Sequence, residues 1–223
     1  KHIAATAVAK CIKTNHPDRK LIIVSGWPQV FVGLDFVDRV YRHNNTPYFY
    51  EEYIKDKDSI IFRHEPYYTT EHIIKRKPLI ENWCKLYKLK YNNETPELKF
   101  NVRQQQIGTN KWKRDKPVLL IHTNGGPIQG QKHVYESMDN LELFQLLQHS
   151  DKRLLIDSCL QHAAYAMKLP STVCWIGTSP KIFGYDFHNN ITTTLPKYNF
   201  PDRYMFDSQF TGETIECPFD DMD

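Results

Sequence analysis

The chain has 223 residues and a mass of 26.4 kDa, with 29 Lys and Arg against 26 Asp and Glu. Hydrophobic residues make up 40% of it and aromatic residues 13%, which supplies a folded core and excludes an intrinsically disordered chain. No apolar run approaches the roughly 18 residues of a membrane span, and no signal peptide is recognisable. A soluble protein of the cytoplasm is therefore expected.

The first half of the chain alternates between helical and extended patterns. An Ala-rich segment favours a helix, and the continuous apolar run that follows it is typical of a strand buried on both faces. The predicted elements are a helix over 3–12, a strand over 21–26, a helical turn and a strand within 28–43, a strand over 59–63, and a helix over 78–91.

Basic residues are concentrated in the middle of the chain. Residues 72–116 hold twelve Lys and Arg against four Asp and Glu, whereas the whole chain has a net charge of +3. Such a block suits phosphates or nucleic acid, and a solvated helix face with a linker explains it as well. Residues 92–116 also lack sustained periodicity, which predicts a domain boundary. We expect an N-terminal domain over 1–100, a basic linker over 101–116 and a C-terminal domain over 117–223.

The second half predicts strands and helices in regular alternation, which is typical of an α/β fold with a largely parallel sheet. In such sheets, ligands bind outside the carboxyl ends of the strands. Three predicted loops occupy that position, over 122–133, 157–162 and 177–188. The predicted elements of this half are strands over 118–122, 154–156 and 172–176, and helices over 141–147 and 159–167.

The loop over 157–162 carries the most informative residues. Asp157 and Ser158 fall where a strand becomes a helix, so they can cap the helix while its free amide groups face an anion. His162 lies about one helical turn beyond Ser158 and can donate a hydrogen bond to a phosphate or stabilise a leaving group. Taken singly, Asp157 is explained equally well as a helix cap, and His162 as a buried structural histidine.

The run from 141 to 190 resembles the C-terminal half of glycosyltransferase family 9, the heptosyltransferase-like enzymes of the GT-B fold. That family shows a strand, D-[ST]-G-x-x-H, a helix of small residues, L-x-x-P, an apolar strand and G-x-[ST]-x-P before a Gly-containing loop. Cys159 stands where the family has glycine. The matching residues are Asp157, Ser158, His162, Pro170, Gly177, Ser179, Pro180 and Gly184.

The resemblance implies an α/β fold of the GT-B type, in which two Rossmann-like domains face a cleft. It also implies that family segments are lacking ahead of Lys1 and between His133 and Leu141. Either the protein is a pared-down member or further segments belong to it.

The resemblance further implies a donor site that binds a nucleotide sugar, with ADP or UDP as the nucleotide, and no other cofactor. His122 ends a predicted strand, and Lys132 and His133 follow a Gly-rich loop, as in the family region whose lysine reaches the donor phosphates. An exposed lysine explains Lys132 equally well. The expected donor-binding residues are Lys132, Asp157, Ser158, Cys159, His162, Gly177 and Ser179.

The catalytic base is not readable from the resemblance, because Lys1 falls approximately where the family carries its acidic residue. Deprotonating an acceptor hydroxyl needs a carboxylate or an imidazole that faces the cleft. His64 and Glu65, at the end of a predicted strand, are preferred, and together with His162 they form the expected catalytic set. The other substitutes considered are His2, Asp35, Asp56 and Asp58.

No metal site is expected. Asp56 with Asp58 and Asp221 with Asp223 have the spacing of the metal-binding pair in the GT-A architecture, but neither pair lies at the end of a predicted strand. The five cysteines include no C-x-x-C pair, which indicates neither zinc nor a disulfide framework.

The sequence thus predicts a glycosyltransferase that moves a sugar from a nucleotide sugar to an acceptor hydroxyl. The acceptor is a glycan such as a lipopolysaccharide core, or, given the basic block, a modified base in viral DNA. The alternative is a catalytically inactive binding or scaffold protein of the same fold. A dinucleotide-dependent oxidoreductase is disfavoured because no G-x-G-x-x-G follows a predicted strand. The oligomeric state is not predicted.

Overall fold

The structure is a computed structural model that describes residues 1–73, 75, 77–122, 140–175 and 178–192. This part of the chain contains both helices and strands, and its strand ladders are all parallel. The fold is therefore mixed α/β, as predicted. Across the same residues, no helix combines the length and the apolar character that crossing a membrane requires.

The chain begins with helix α1 (His2–Asn15), which confirms the predicted helix and extends it by a few residues. Its small and apolar side chains, among them Ala4, Ala7 and Val8, are almost completely buried. They pack against α4 (Leu79–Leu86), whose buried Trp83 confirms the apolar face predicted for that helix. The many alanines of α1 allow this close helix contact at no cost in helix propensity.

Strand β1 (Ile22–Ser25) pairs in parallel with β2 (Arg39–Arg42), so that Ile22 lies opposite Arg39 and Ser25 opposite Arg42. A 3-10 turn over 28–30 connects the two strands and confirms the predicted helical turn. The prediction that β1 is buried on both faces is wrong, because the Val24 side chain is 38% exposed.

A cavity of about 960 Å³ lies between α1, β1 and the segment 57–63. The predicted strand over 59–63 is wrong, since this segment forms no ladder with any strand that the structure describes. Its Ile60 and Ile61 side chains are 48% and 66% exposed. Paired strands lie about 4.8 Å apart, and the cavity between 59–63 and β1 keeps these two backbones from making sheet hydrogen bonds.

Two short helices, α2 (Phe49–Tyr53) and α3 (Thr70–Ile73), and a 3-10 turn over 66–68 precede α4 in the chain. The segment predicted as a basic linker over 101–116 is mostly a helix, α5 (Val102–Trp112).

Helix α5 packs against α6 (Asn140–Gln148) mainly through polar contacts. Lys111 pairs with Glu142, and the Gln145 amide donates to the Gln104 carbonyl. Because Gly108 is the buried position of α5, the helix shows no apolar stripe, and its sequence carries no helical periodicity.

The second half forms a four-stranded parallel sheet in the order β3-β4-β5-β6, which follows the order of the strands in the chain. In register, Ile121 lies opposite Leu154, and Ile156 lies opposite Cys174. The elements are β3 (Leu119–Ile121), α6, β4 (Lys152–Ile156), α7 (Cys159–Ala166), β5 (Thr172–Trp175), α8 (Pro180–Phe183) and β6 (Asn189–Thr192).

The hydrophobic core continues from the first half of the chain into the second. Helix α1 contacts α7 as well as α4, and the rings of Trp27 and Phe144 lie 5.7 Å apart between centroids. Buried residues of the sheet, such as Leu155 and Val173, belong to the same cluster as the buried face of α1. This packing brings the first residues of α1 close to the first residues of α7.

Candidate active site

The polar residues that follow β3, β4 and β5 meet at the carboxyl edge of the larger sheet. The hydroxyl oxygen of Ser158, after β4, lies 3.3 Å from Nδ1 of His122, after β3. The Asp157 carboxylate accepts a hydrogen bond from the hydroxyl of Thr178, which comes after β5. The structure therefore brings together the ends of three neighbouring strands, at the place where parallel sheets bind ligands.

Two helices begin at this edge, each with a serine cap. Ser158 accepts a hydrogen bond from the backbone amide of Leu160 at 3.2 Å, and Ser179 accepts one from the amide of Lys181 at 3.3 Å. Caps of this type satisfy one of the free amide groups of a first turn. The remaining amides and the helix dipole favour a negative charge at the start of α7, next to the exposed Cys159.

His162 lies one turn into α7 and is 7% exposed. Its Nδ1 atom lies 2.8 Å from the hydroxyl of Tyr185. Burial lowers the pKa of His162 well below its usual 6.5, and the neighbouring His188 lowers it further. The imidazole is therefore neutral at pH 7, so it can donate or accept a hydrogen bond but supplies no positive charge.

Asp157 is the acidic residue at this edge. Burial, the largest influence, raises the pKa of its carboxyl, while the hydrogen bond from Thr178 acts in the opposite direction. The carboxylate thus ties the loop after β4 to the loop after β5. This contact explains Asp157 as an anchor of the site's geometry.

Glu65 lies beside the start of α1, where it lines the cavity between α1 and β1 together with Lys1. Its carboxylate is 2.6 Å from Nζ of Lys1. The backbone nitrogen of Lys1 lies close to Asp157 and Cys159 as well as to Glu65. The first residues of α1 therefore lie between Glu65 and the start of α7.

His64 is not brought to this cavity by any contact that the described residues make. It is exposed, and its backbone carbonyl accepts hydrogen bonds from Nε1 of Trp83, at 3.0 Å, and from the hydroxyl of Tyr87. Lys132 and Gly177 lie outside the described residues.

Two of the other candidate carboxylates have partners elsewhere. Asp58 pairs with Arg19, and Asp35 pairs with Lys99. Among the residues whose placement is described, no three His, Cys, Asp or Glu side chains form a group that could hold a metal ion.

Two residues of the site, Thr178 and Tyr185, were assigned no role from the sequence. Thr178 follows a strand and precedes the cap Ser179, which is a signal for a residue at the sheet edge. Tyr185 carries no such signal, because it is 23 positions from His162 and meets it only in the folded chain.

No family model and no curated protein matches this chain in sequence. Its fold is similar to the crystal structure of the glycosyl transferase family 9 from Veillonella parvula DSM 2008, with a TM-score of 0.62. The two chains are 11% identical, and the match covers 96% of this chain and 86% of that one. The similarity confirms an α/β fold like that of a family 9 structure. The division into two domains and the roles of the site residues stay predictions.

Proposed function

We propose that the protein is a glycosyltransferase that moves a sugar from a nucleotide-sugar donor to an acceptor hydroxyl. The observation that carries this proposal is the start of α7, which lies at the carboxyl edge of the parallel sheet beside His122, Ser158 and Ser179. A helix start of this kind suits the diphosphate of ADP- or UDP-sugars. The similarity to a family 9 structure supports the same reading.

In this proposal the chain acts by positioning the donor and by stabilising the departing diphosphate. Neutral His162 donates a hydrogen bond to a phosphate oxygen and Lys132 supplies positive charge. Gly177 is a further donor-binding residue that the resemblance implies. Asp157 holds the two loops in place through Thr178. No metal and no further cofactor takes part.

We assign the role of general base to Glu65. Its carboxylate lies beside Lys1, approximately the position where the resembled family carries its acidic residue, and Lys1 lies close to the start of α7. From there it can accept the proton of an acceptor hydroxyl. The exposed His64 lacks this placement, so we prefer Glu65 to it.

A glycan is the favoured acceptor. Several cations of the basic block already have carboxylate partners: Lys75 and Lys85 pair with Glu71, Lys99 with Asp35, and Lys111 with Glu142. Paired cations leave less free charge for a phosphate backbone. A DNA acceptor would instead make binding fall steeply with salt, which a titration of acceptor affinity against ionic strength measures.

The second candidate function is a binding protein without turnover. It is favoured by the exposed Cys159, which occupies the first position of α7 where the resembled family has glycine. A side chain there limits how closely a diphosphate approaches the backbone.

The proposal is tested by measuring release of nucleoside diphosphate from ADP-, UDP- and GDP-sugars, with and without glycan acceptors. We expect Glu65→Gln to lower turnover by about 10²-fold or more, the usual contribution of a general base. Glu97→Gln is the matched control, because Glu97 also pairs with a lysine of α1, Lys10, at a distance from Lys1. Binding of a donor without turnover would favour the second candidate. If none of the donors is bound or turned over, both candidate functions are excluded.

A further inference from the structure

We infer that Tyr185 is a positioning residue that holds the imidazole of His162 in the tautomer with its hydrogen on Nε2. The inference deepens the proposed function. The expected effect of Tyr185 on donor binding rests on that function. The inference also has a readout that needs no donor, namely the position of the proton on the ring.

The side chains of Tyr185 and His162 are placed for a well-formed hydrogen bond. The Tyr185 hydroxyl lies 2.8 Å from Nδ1 of His162, within the usual distance for such a bond. The tyrosine ring is itself fixed, since it stacks on Tyr165 with centroids 3.8 Å apart and planes 11° apart. The amide of Asn190 also donates to the Tyr185 carbonyl at 2.9 Å.

The chemistry of the pair sets the direction of this hydrogen bond. A phenol is a stronger acid than a neutral imidazole N–H, and an imidazole nitrogen is a good acceptor, so the hydroxyl donates and Nδ1 accepts. The side-chain nitrogen of Gln161, the other polar neighbour of the ring, donates to the Phe183 carbonyl at 3.0 Å and lies 3.3 Å from both ring nitrogens. Equal distances favour neither ring nitrogen, whereas the shorter contact with the Tyr185 hydroxyl is with Nδ1 alone. Because a neutral ring carries one hydrogen, that hydrogen lies on Nε2.

His188 provides an independent comparison within the same cluster. Its Nε2 atom lies 3.0 Å from the backbone carbonyl of Gln161, which can only accept, so Nε2 of His188 also carries a hydrogen. This tautomer is set by a backbone group and does not depend on the Tyr185 hydroxyl. His188 is thus an internal reference for His162.

The test compares Tyr185→Phe with Tyr165→Phe on the full chain. Both variants remove one phenolic oxygen from the same ring stack and keep both rings, so packing is matched. Long-range ¹H–¹⁵N NMR spectra at neutral pH report which ring nitrogen of each histidine carries the hydrogen. For the wild type and Tyr165→Phe we expect His162 protonated on Nε2 alone, and for Tyr185→Phe a mixture of tautomers. The reference His188 stays unchanged throughout.

The inference is overturned if wild-type His162 carries its hydrogen on Nδ1 or is doubly protonated, or if Tyr185→Phe leaves its tautomer unchanged.

The role of Tyr185 in donor binding is tested separately. The probes for the donor site are UDP and ADP, with affinity measured by calorimetry. We expect Tyr185→Phe to weaken binding of the preferred nucleotide about tenfold, the equivalent of one hydrogen bond, and Tyr165→Phe to leave it unchanged. Equal binding by both variants refutes the role in donor binding. If neither nucleotide binds the wild type, the proposed function fails, while the spectra still decide the role of Tyr185.

Discussion

At the scale of single residues, the candidate site depends on side chains that the fold has already oriented. Neutral His162 is held by Tyr185, and Asp157 is held by Thr178. Since these groups are fixed before any ligand arrives, little of the binding free energy is lost in ordering them. The site can therefore contribute to catalysis by positioning the donor. The positive electrostatic potential comes from the start of α7 and from the other residues that contact the donor.

At Gly184 the packing against Pro180 leaves no room for a side chain. A Cβ atom there would lie 2.6 Å from the carbonyl oxygen of Pro180 and 2.9 Å from its Cα atom, and these are backbone atoms that cannot turn aside. We expect Gly184→Ala to lower the free energy of unfolding by about 1–3 kcal/mol, the usual cost of overpacking. Urea unfolding followed by circular dichroism measures the change.

Gly26→Ala is the control for that prediction. A Cβ atom at Gly26 meets nothing within 4 Å. Its expected effect on stability lies between zero and a gain of about 1 kcal/mol, because alanine restricts the unfolded chain. Equal stabilities of the two variants would show that the loop after α8 can move away from Pro180.

At the scale of elements, α5 shows how a polar helix is held in place. Its first turn has a reciprocal cap: the Asn101 side chain accepts from the Gln104 amide at 2.8 Å, and the Gln104 side chain accepts from the Asn101 amide at 2.9 Å. Since α5 buries little apolar area, we expect Asn101→Ala to cost about 1 kcal/mol of unfolding free energy.

The matched control for the cap is Asn110→Ala, an exposed change inside the same helix. Alanine favours helix there by a few tenths of a kcal/mol, so stability should hold or rise slightly. Amide hydrogen exchange in the first turn of α5 should increase in Asn101→Ala only. Loss of protection along the whole helix in both variants would contradict a role of the cap.

The elements also show which features can be predicted from sequence. Helix α1 and the strands β1 and β3 have local signals in composition and apolar runs, and the structure confirms them. Helix α5 has no such signal, because its contacts with α6 are polar. A strand over 59–63 was predicted wrongly, since pairing depends on a neighbour that local sequence does not reveal.

The same distinction applies to the candidate site. Asp157 and Ser158 were predictable because they stand where a strand gives way to a helix, and Ser179 was named through the resemblance. The structure places all three at the sheet edge. The contacts of Glu65 with Lys1 and of Tyr185 with His162 join distant parts of the chain. Tertiary packing within the first half brings Glu65 to Lys1, and packing within the second half brings Tyr185 to His162.

At the scale of the whole molecule, the shared core makes a prediction about cooperativity. Phe144 of α6 is completely buried and contacts Trp27 of the first half. We expect Phe144→Ala to lower the free energy of unfolding by about 3–5 kcal/mol. If the core is continuous, the loss destabilises α4 in the first half as much as β4 in the second, and the chain unfolds in one transition.

Amide exchange at α4 and β4, measured as a function of denaturant, distinguishes this outcome from independent domains. The control is Phe187→Ala, because Phe187 is 41% exposed and its loss should cost much less. Equal loss of protection at α4 and β4 in Phe144→Ala would contradict separately folding domains over 1–100 and 117–223. Protection retained at α4 and lost at β4 would support them, and would confine the effect of Phe144 to the half that carries the start of α7.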